Sequence, residues 1–145
     1  MEERNKTHSM EHKDQALKGN EKIEEYIGLL QKEPTEEMLA VTLSEIRRSM
    51  KAGSQLVVEV EPSVTDRFNL RTMDIEGKMW IPAYTSFDEE LKGGSSLMST
   101  FMADMGQLFE MALADNNVEG VILNPWNRTL MLDRNLIRII KGNDV

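Results

Sequence analysis

Thr85, Ser86 and Asn124 are the side chains of this 145-residue chain best placed to contact a polar ligand. Thr85 and Ser86 follow the apolar run Trp80–Tyr84, and Asn124 follows Val118–Leu123. Groups able to donate and accept hydrogen bonds therefore stand just past the ends of two strand-like segments. Where such groups converge they form a small-ligand site, conceivably one with enzymatic chemistry. Each also has a structural use. Pro125 keeps Asn124 out of right-handed helical space, and its side chain can fix the turn by bonding nearby backbone. Thr85 or Ser86 can cap a short helix through Asp88–Leu91, whose first turn is suitably acidic. The structural uses are the simpler reading.

Other reactive patterns are weaker. Cysteine is absent, which excludes disulfides and thiolate chemistry. His8 and His12 share an i, i+4 spacing, but they have no third ligand nearby, so neither a metal site nor histidine-assisted serine catalysis is expected. Lys92-Gly93-Gly94-Ser95-Ser96 precedes a helical pattern as anion-binding loops do. Its spacing matches no phosphate-loop fingerprint, and a flexible loop with a serine cap is expected. Asp88, Glu89 and Glu90 read as solvated charges at a helix start rather than an acid–base pair. No cofactor is implied. Two features suit a contact surface instead. Met98 and Met102 lie beside the Leu97–Phe101–Met105–Leu108 stripe, and methionine adapts to irregular partners. Trp126, at the apex of a turn, either folds back over the sheet or anchors an interface.

Formal net charge is −8. Residues 1–20 balance internally, with Glu2, Glu3, Glu11 and Asp14 against Arg4, Lys6, Lys13 and Lys18, so the acidic excess falls on residues 21–145. That excess opposes attraction to nucleic acid or anionic lipid, and neither is expected as a partner. No apolar run approaches a membrane span and the polar start lacks a secretory h-region, so a cytoplasmic location is expected. Residues 1–20 also lack an apolar stripe and are expected to be a mobile polar tail ahead of one domain over 21–145.

These candidates need elements to hold them. Ile23, Ile27 and Leu30 share a helical face that ends at Glu33-Pro34. A stronger helix opens at Pro34 or Thr35, buries Leu39, Leu43, Ile46 and Met50, and stops at Gly53. Gln55–Glu61 alternates as a half-buried strand, with Glu59 facing away from Leu56, Val58 and Val60. Phe68–Met73 and Lys78–Tyr84 form a hairpin about the Asp74–Gly77 turn. Pro82, without an amide donor, belongs at an edge, a bulge or a non-bonded position. A long helix over Ser96–Ala114, with Phe101 and Leu108 in the core, leads to the strand Val118–Leu123 in a right-handed parallel crossover, with an antiparallel return as the alternative. Asn124–Arg128 then turns the chain into a strand Thr129–Leu132, followed by a helix capped by Asp133 and Gly142. The expected fold is α+β: a single domain with a mixed sheet of about five strands packed by a long helix plus N- and C-terminal helices.

The order of these motifs resembles the N-terminal domain of the SseB family, the enhanced serine sensitivity proteins of bacteria. The resemblance is carried by Pro82, Ala83, Tyr84, Thr85 and Ser86 at one strand end and by Asn124-Pro125 at a later one, followed by a strand and a terminal helix. Ala83 stands where a larger aliphatic is usual and Tyr84 where phenylalanine is usual. The likeness covers about residues 34–141. It implies an intracellular bacterial domain without an established enzymatic mechanism. The functional expectation is thus a non-enzymatic interaction or regulatory domain that uses Trp126, Met98 and Met102 to engage a protein partner or its own copy. The alternative is a small-ligand domain built on Thr85, Ser86 and Asn124.

Overall fold

The computed structural model describes residues 16–61, 69–94 and 99–142. The chain opens with two helices, α1 (Asn20–Lys32) and α2 (Glu36–Lys51). Thr35 starts α2 as expected, its hydroxyl accepting from the Met38 amide, and Gly53 lies just beyond its end at φ 82°. Strands β1 (Gln55–Glu61), β2 (Asn69–Leu70), β3 (Met73–Ile75) and β4 (Lys78–Tyr84) follow, then α3 (Phe87–Leu91), β5 (Ser99–Asp104), α4 (Met105–Ala114), β6 (Val118–Leu123), β7 (Leu130–Asp133) and α5 (Arg134–Lys141). The caps expected for α5 are both present: Asp133 accepts from the Leu136 amide, and Gly142 takes a left-handed conformation.

The result is an α+β domain with a mixed sheet. Strand β1 pairs antiparallel with β5 along one edge, and shares its other edge between β4 and β2. Strand β4 pairs parallel with β6, as the crossover predicts, and β6 pairs antiparallel with β7. The β3–β4 hairpin closes over Glu76 and Gly77, both at positive φ, which suits the twist of a tight hairpin. Pro82 falls on β4 between the residues paired to β3, which end at Trp80, and those paired to β1, which begin at Ala83. On that side its missing amide costs no ladder bond. At Gly120 a Cβ would sit 2.0 Å from the Leu132 carbonyl oxygen, so only glycine permits β6 and β7 to approach this closely.

One face of the sheet carries the main core, in which Ile23, Ile27 and Ile46 of α1 and α2, Leu108 and Phe109 of α4, and Ile137 and Ile140 of α5 meet Leu56, Val58, Ala83, Val121 and Leu132. The opposite face holds a smaller cluster of Leu17, Val57 and Tyr84, with Phe87 and Met102 against it. Strand β1 is therefore buried on both faces.

The structure corrects several expectations. Among the described residues the sheet has seven strands rather than about five. The expected strand at Phe68–Met73 is two short strands, β2 and β3, with Phe68 outside the described residues. The long helix over Ser96–Ala114 is a strand followed by a shorter helix: Asp104 caps α4 by accepting from the Gln107 amide, and Ser99–Asp104 all pair with β1. Helical spacing of Phe101, Met105 and Leu108 concealed this, because the ladder that fixes β5 comes from a distant segment. Leu108 is core, as expected, whereas Phe101 is 45% exposed on β5. The tail does not extend to residue 20. Leu17 and Asn20 are buried, and the Asn20 side chain donates to the carbonyls of Gln55 at 2.7 Å and Thr85 at 3.1 Å. The rest of the expected tail, residues 1–15 with His8 and His12, lies outside the described residues.

Candidate functional site

The carboxyl ends of the parallel pair β4 and β6 bring Thr85 and Asn124 into direct contact. Asn124 sits at φ 50°, a left-handed conformation that asparagine tolerates better than most residues. Its Oδ1 accepts from the Thr85 amide at 3.0 Å and its Nδ2 donates to Thr85 Oγ1 at 3.0 Å. Thr85 Oγ1 in turn donates to Glu24 Oε2 at 2.7 Å. The Asn124 carbonyl accepts from Thr129 Oγ1 at 2.7 Å, which holds the Asn124–Thr129 turn closed. Thr85 and Asn124 are both buried. Their polar atoms are occupied in joining two strands, as the structural reading of the sequence has it. Ser86 caps α3, its Oγ accepting from the Glu89 amide at 3.2 Å.

Outside this junction lies a cleft of about 720 Å³ with Thr85 and Ser86 in its wall. Apart from Leu17, its remaining lining is charged. Glu21, Glu24, Asp88 and Glu89 supply four carboxylates, and Lys18, Lys92 and Arg128 supply three cations. Arg128 pairs loosely with Glu24 at 4.0 Å, while Lys92 forms a close ion pair with Glu89 Oε2. The other carboxylate oxygen of Glu89 is buried with no hydrogen-bond partner.

A second polar cluster lies on the sheet face under α3. The Tyr84 hydroxyl donates to Glu59 Oε1 at 2.9 Å, and the same oxygen accepts from Arg71 at 3.0 Å. Burial, then the hydrogen bond and charge of Glu59, push the Tyr84 hydroxyl well above the usual tyrosine range. Glu90 is raised above the usual carboxylate range, first by burial and then by the charge of Glu59 and a hydrogen bond to it, with Arg71 opposing. Trp126 folds back toward this cluster. Its Nε1 donates to the Tyr84 hydroxyl at 3.2 Å, and its ring lies so close to Gly93 that a Cβ there would meet Nε1 at 2.2 Å. The indole nonetheless remains 41% exposed. Trp126 does not itself line the charged cleft, although its chain neighbour Arg128 and Lys92, next to Gly93, both do.

The other expectations sort as follows. Met102 is on β5 rather than a helix flank, and packs against the cluster of Leu17, Val57 and Tyr84. Met98 lies outside the described residues, as do Ser95 and Ser96 of the glycine loop. Glu89 and Glu90 are buried, not solvated, and only Asp88 of that trio is exposed. Glu59 is likewise buried, with Tyr84, Arg71 and Glu90 of α3 gathered around it on the face that an alternating strand would turn to water. Sequence reasoning missed Asn20, Glu24 and Arg71. No local signal marks them, since each acts on a partner distant along the chain. Among the described residues no group of three or more His, Cys, Asp or Glu side chains is placed to hold a metal ion, and no helix is long and apolar enough to cross a membrane. No protein-family model, curated protein or solved structure matches this chain.

Proposed function

We propose that this is a non-enzymatic recognition domain, cytoplasmic and bacterial as the SseB resemblance implies, which engages a protein partner at the charged cleft and its Trp126 rim. The observation that carries the reading is the position of the cleft beyond the carboxyl ends of β4 and β6, where open sheets with parallel strands commonly receive ligands. A half-exposed indole beside fixed charges is the composition of an interface anchor with a polar rim. The hydroxyls that a catalytic reading needs are already engaged. Thr85 is buried against Glu24 and Asn124, and Ser86 caps α3. The small-ligand alternative on Thr85, Ser86 and Asn124 is correspondingly weaker, because Asn124 presents no surface to the cleft.

The test is affinity capture from native lysate by the wild type, by a Glu21→Lys/Asp88→Lys variant and by Trp126→Phe, all at matched folded fraction. A specific partner retained by the wild type should be lost on reversal of the cleft charges and weakened at the rim. Equal retention by all three places recognition elsewhere on the surface.

A further inference from the structure

Glu89 combines two properties that rarely coexist in a residue of purely structural use. Its side chain is only 5% exposed, yet Oε1 has no donor. Among the described residues its other oxygen is satisfied by Lys92 alone, three residues on, whose side chain is 44% exposed. Lys92 leads directly into Gly93-Gly94, with Gly94 at φ 69°, so its backbone lies beside the residues with the widest conformational choice. An ion pair made from one turn of a five-residue helix to a half-exposed lysine is readily exchanged. The carboxylate itself is not mobile in the same way, because α3 is pinned by the Ser86 cap and by Phe87 against the sheet.

We propose that Glu89 is the specificity residue of the cleft, that it receives the guanidinium of an arginine side chain from the partner, and that Lys92 is an internal stand-in which this guanidinium displaces. The proposal rests on the reading of the cleft as the recognition site. With Lys92 swung out, Glu89 offers two coplanar oxygens, which a guanidinium meets with two parallel N–H donors and an ammonium cannot. The surroundings favour a cation. The lining has more carboxylates than cations, and Arg128 is already turned to Glu24. Thr85 and Ser86 are occupied, so they add walls rather than competing donors.

Four probes test this by amide chemical-shift titration of Thr85–Gly94: n-butylguanidinium, n-butylammonium, n-butanol and a blocked Gly-Gly-Arg-Gly-Gly peptide. The peptide is expected to bind most tightly, n-butylguanidinium next and n-butylammonium more weakly, with n-butanol giving no saturable shift. Lys92→Met should tighten guanidinium binding about two- to fivefold by removing the competitor, and Glu89→Gln should abolish it. Equal responses to the ammonium and guanidinium probes, or unchanged affinity in Lys92→Met, would overturn the proposal. Tighter binding of n-butylguanidinium than of the peptide would overturn the polypeptide source. Lys92→Met is a surface change, so a folding defect in Glu89→Gln leaves the test intact. A partner captured by the wild type, lost in Glu21→Lys/Asp88→Lys, and held unchanged by Lys92→Met and Glu89→Gln would refute the role of Glu89 alone and leave the cleft reading standing.

Discussion

Replacing Asn124 by alanine should destabilise the domain by about 3 kcal/mol, and the structure says where that figure comes from. Alanine removes the acceptor of the Thr85 amide and the donor to Thr85 Oγ1. The hydroxyl keeps Glu24 as a partner, so the amide is the one group left unsatisfied in a buried position. An orphaned buried amide costs about 1–3 kcal/mol. Alanine must also hold φ near 50° without the local side-chain hydrogen bonding that eases asparagine there, which adds part of the about 1–2 kcal/mol that a Cβ costs in the left-handed region. Glycine at the same position loses the hydrogen bonds but not the backbone fit, so Asn124→Gly should cost only about 2 kcal/mol. Urea unfolding at constant m-value separates the two variants. Midpoints for both within about 0.5 kcal/mol of the wild type would refute the reasoning, because surface-like tolerance of that size means that the side chain ties nothing together. Equal losses in the two variants would instead remove the backbone contribution.

Further outcomes are expected elsewhere in the fold. Leu108→Ala should cost about 2–5 kcal/mol through a core cavity, and Phe101→Ala about 1 kcal/mol or less; thermal melts that reverse this order would misplace the buried face of α4. A chain beginning at residue 21 should be less stable than one beginning at residue 16 by about 3 kcal/mol, through loss of Leu17 and Asn20, and equal urea midpoints would show that neither anchors the start. Glu90 binds its proton more tightly in the folded chain than in the unfolded one. Its contribution to stability is therefore fully present below the unfolded value of about 4.3 and is lost as pH rises through the higher folded value. Glu90→Gln should flatten that slope, and a wild-type minus mutant difference that does not vary with pH contradicts it. Gly93→Ala should expel the Trp126 indole and shift its fluorescence to the red, while Trp80 stays buried; an unchanged spectrum would mean that the ring does not rest on Gly93.

What could be read from residues alone was whatever local chemistry decides. Thr35, Asp133 and Gly142 announce helix ends because caps act within four residues of themselves. The β3–β4 hairpin and the parallel return to Val118–Leu123 follow from turn chemistry and connection length. Strand β5 failed because Ser99–Asp104 is ambiguous in period, and only pairing with β1 resolves it. A local clue did exist in Asp104 followed three residues later by Gln107, a helix-start pattern in the middle of the expected helix. The strand-end site was half legible. Thr85 and Asn124 do meet, but the charged wall around Ser86 is assembled from α1, α3 and the β6–β7 turn, and burial of Glu89 and Glu90 depends on how α3 lies on the sheet. No spacing in Asp88-Glu89-Glu90 separates the exposed acid from the buried ones.

The side chain of Asn20 has a consequence for the order in which the molecule is completed. It bonds the carbonyls of residues 35 and 65 positions further along the chain. During vectorial synthesis this segment is made before its partners, and it has no place to lock until both β1 and the end of β4 have left the ribosome. Leu17 waits on the same strands, since Val57 and Tyr84 form its seat. Leu17 and Asn20 are thus made well before the strands that fix them, and nascent chains that stop short of Thr85 carry both undocked.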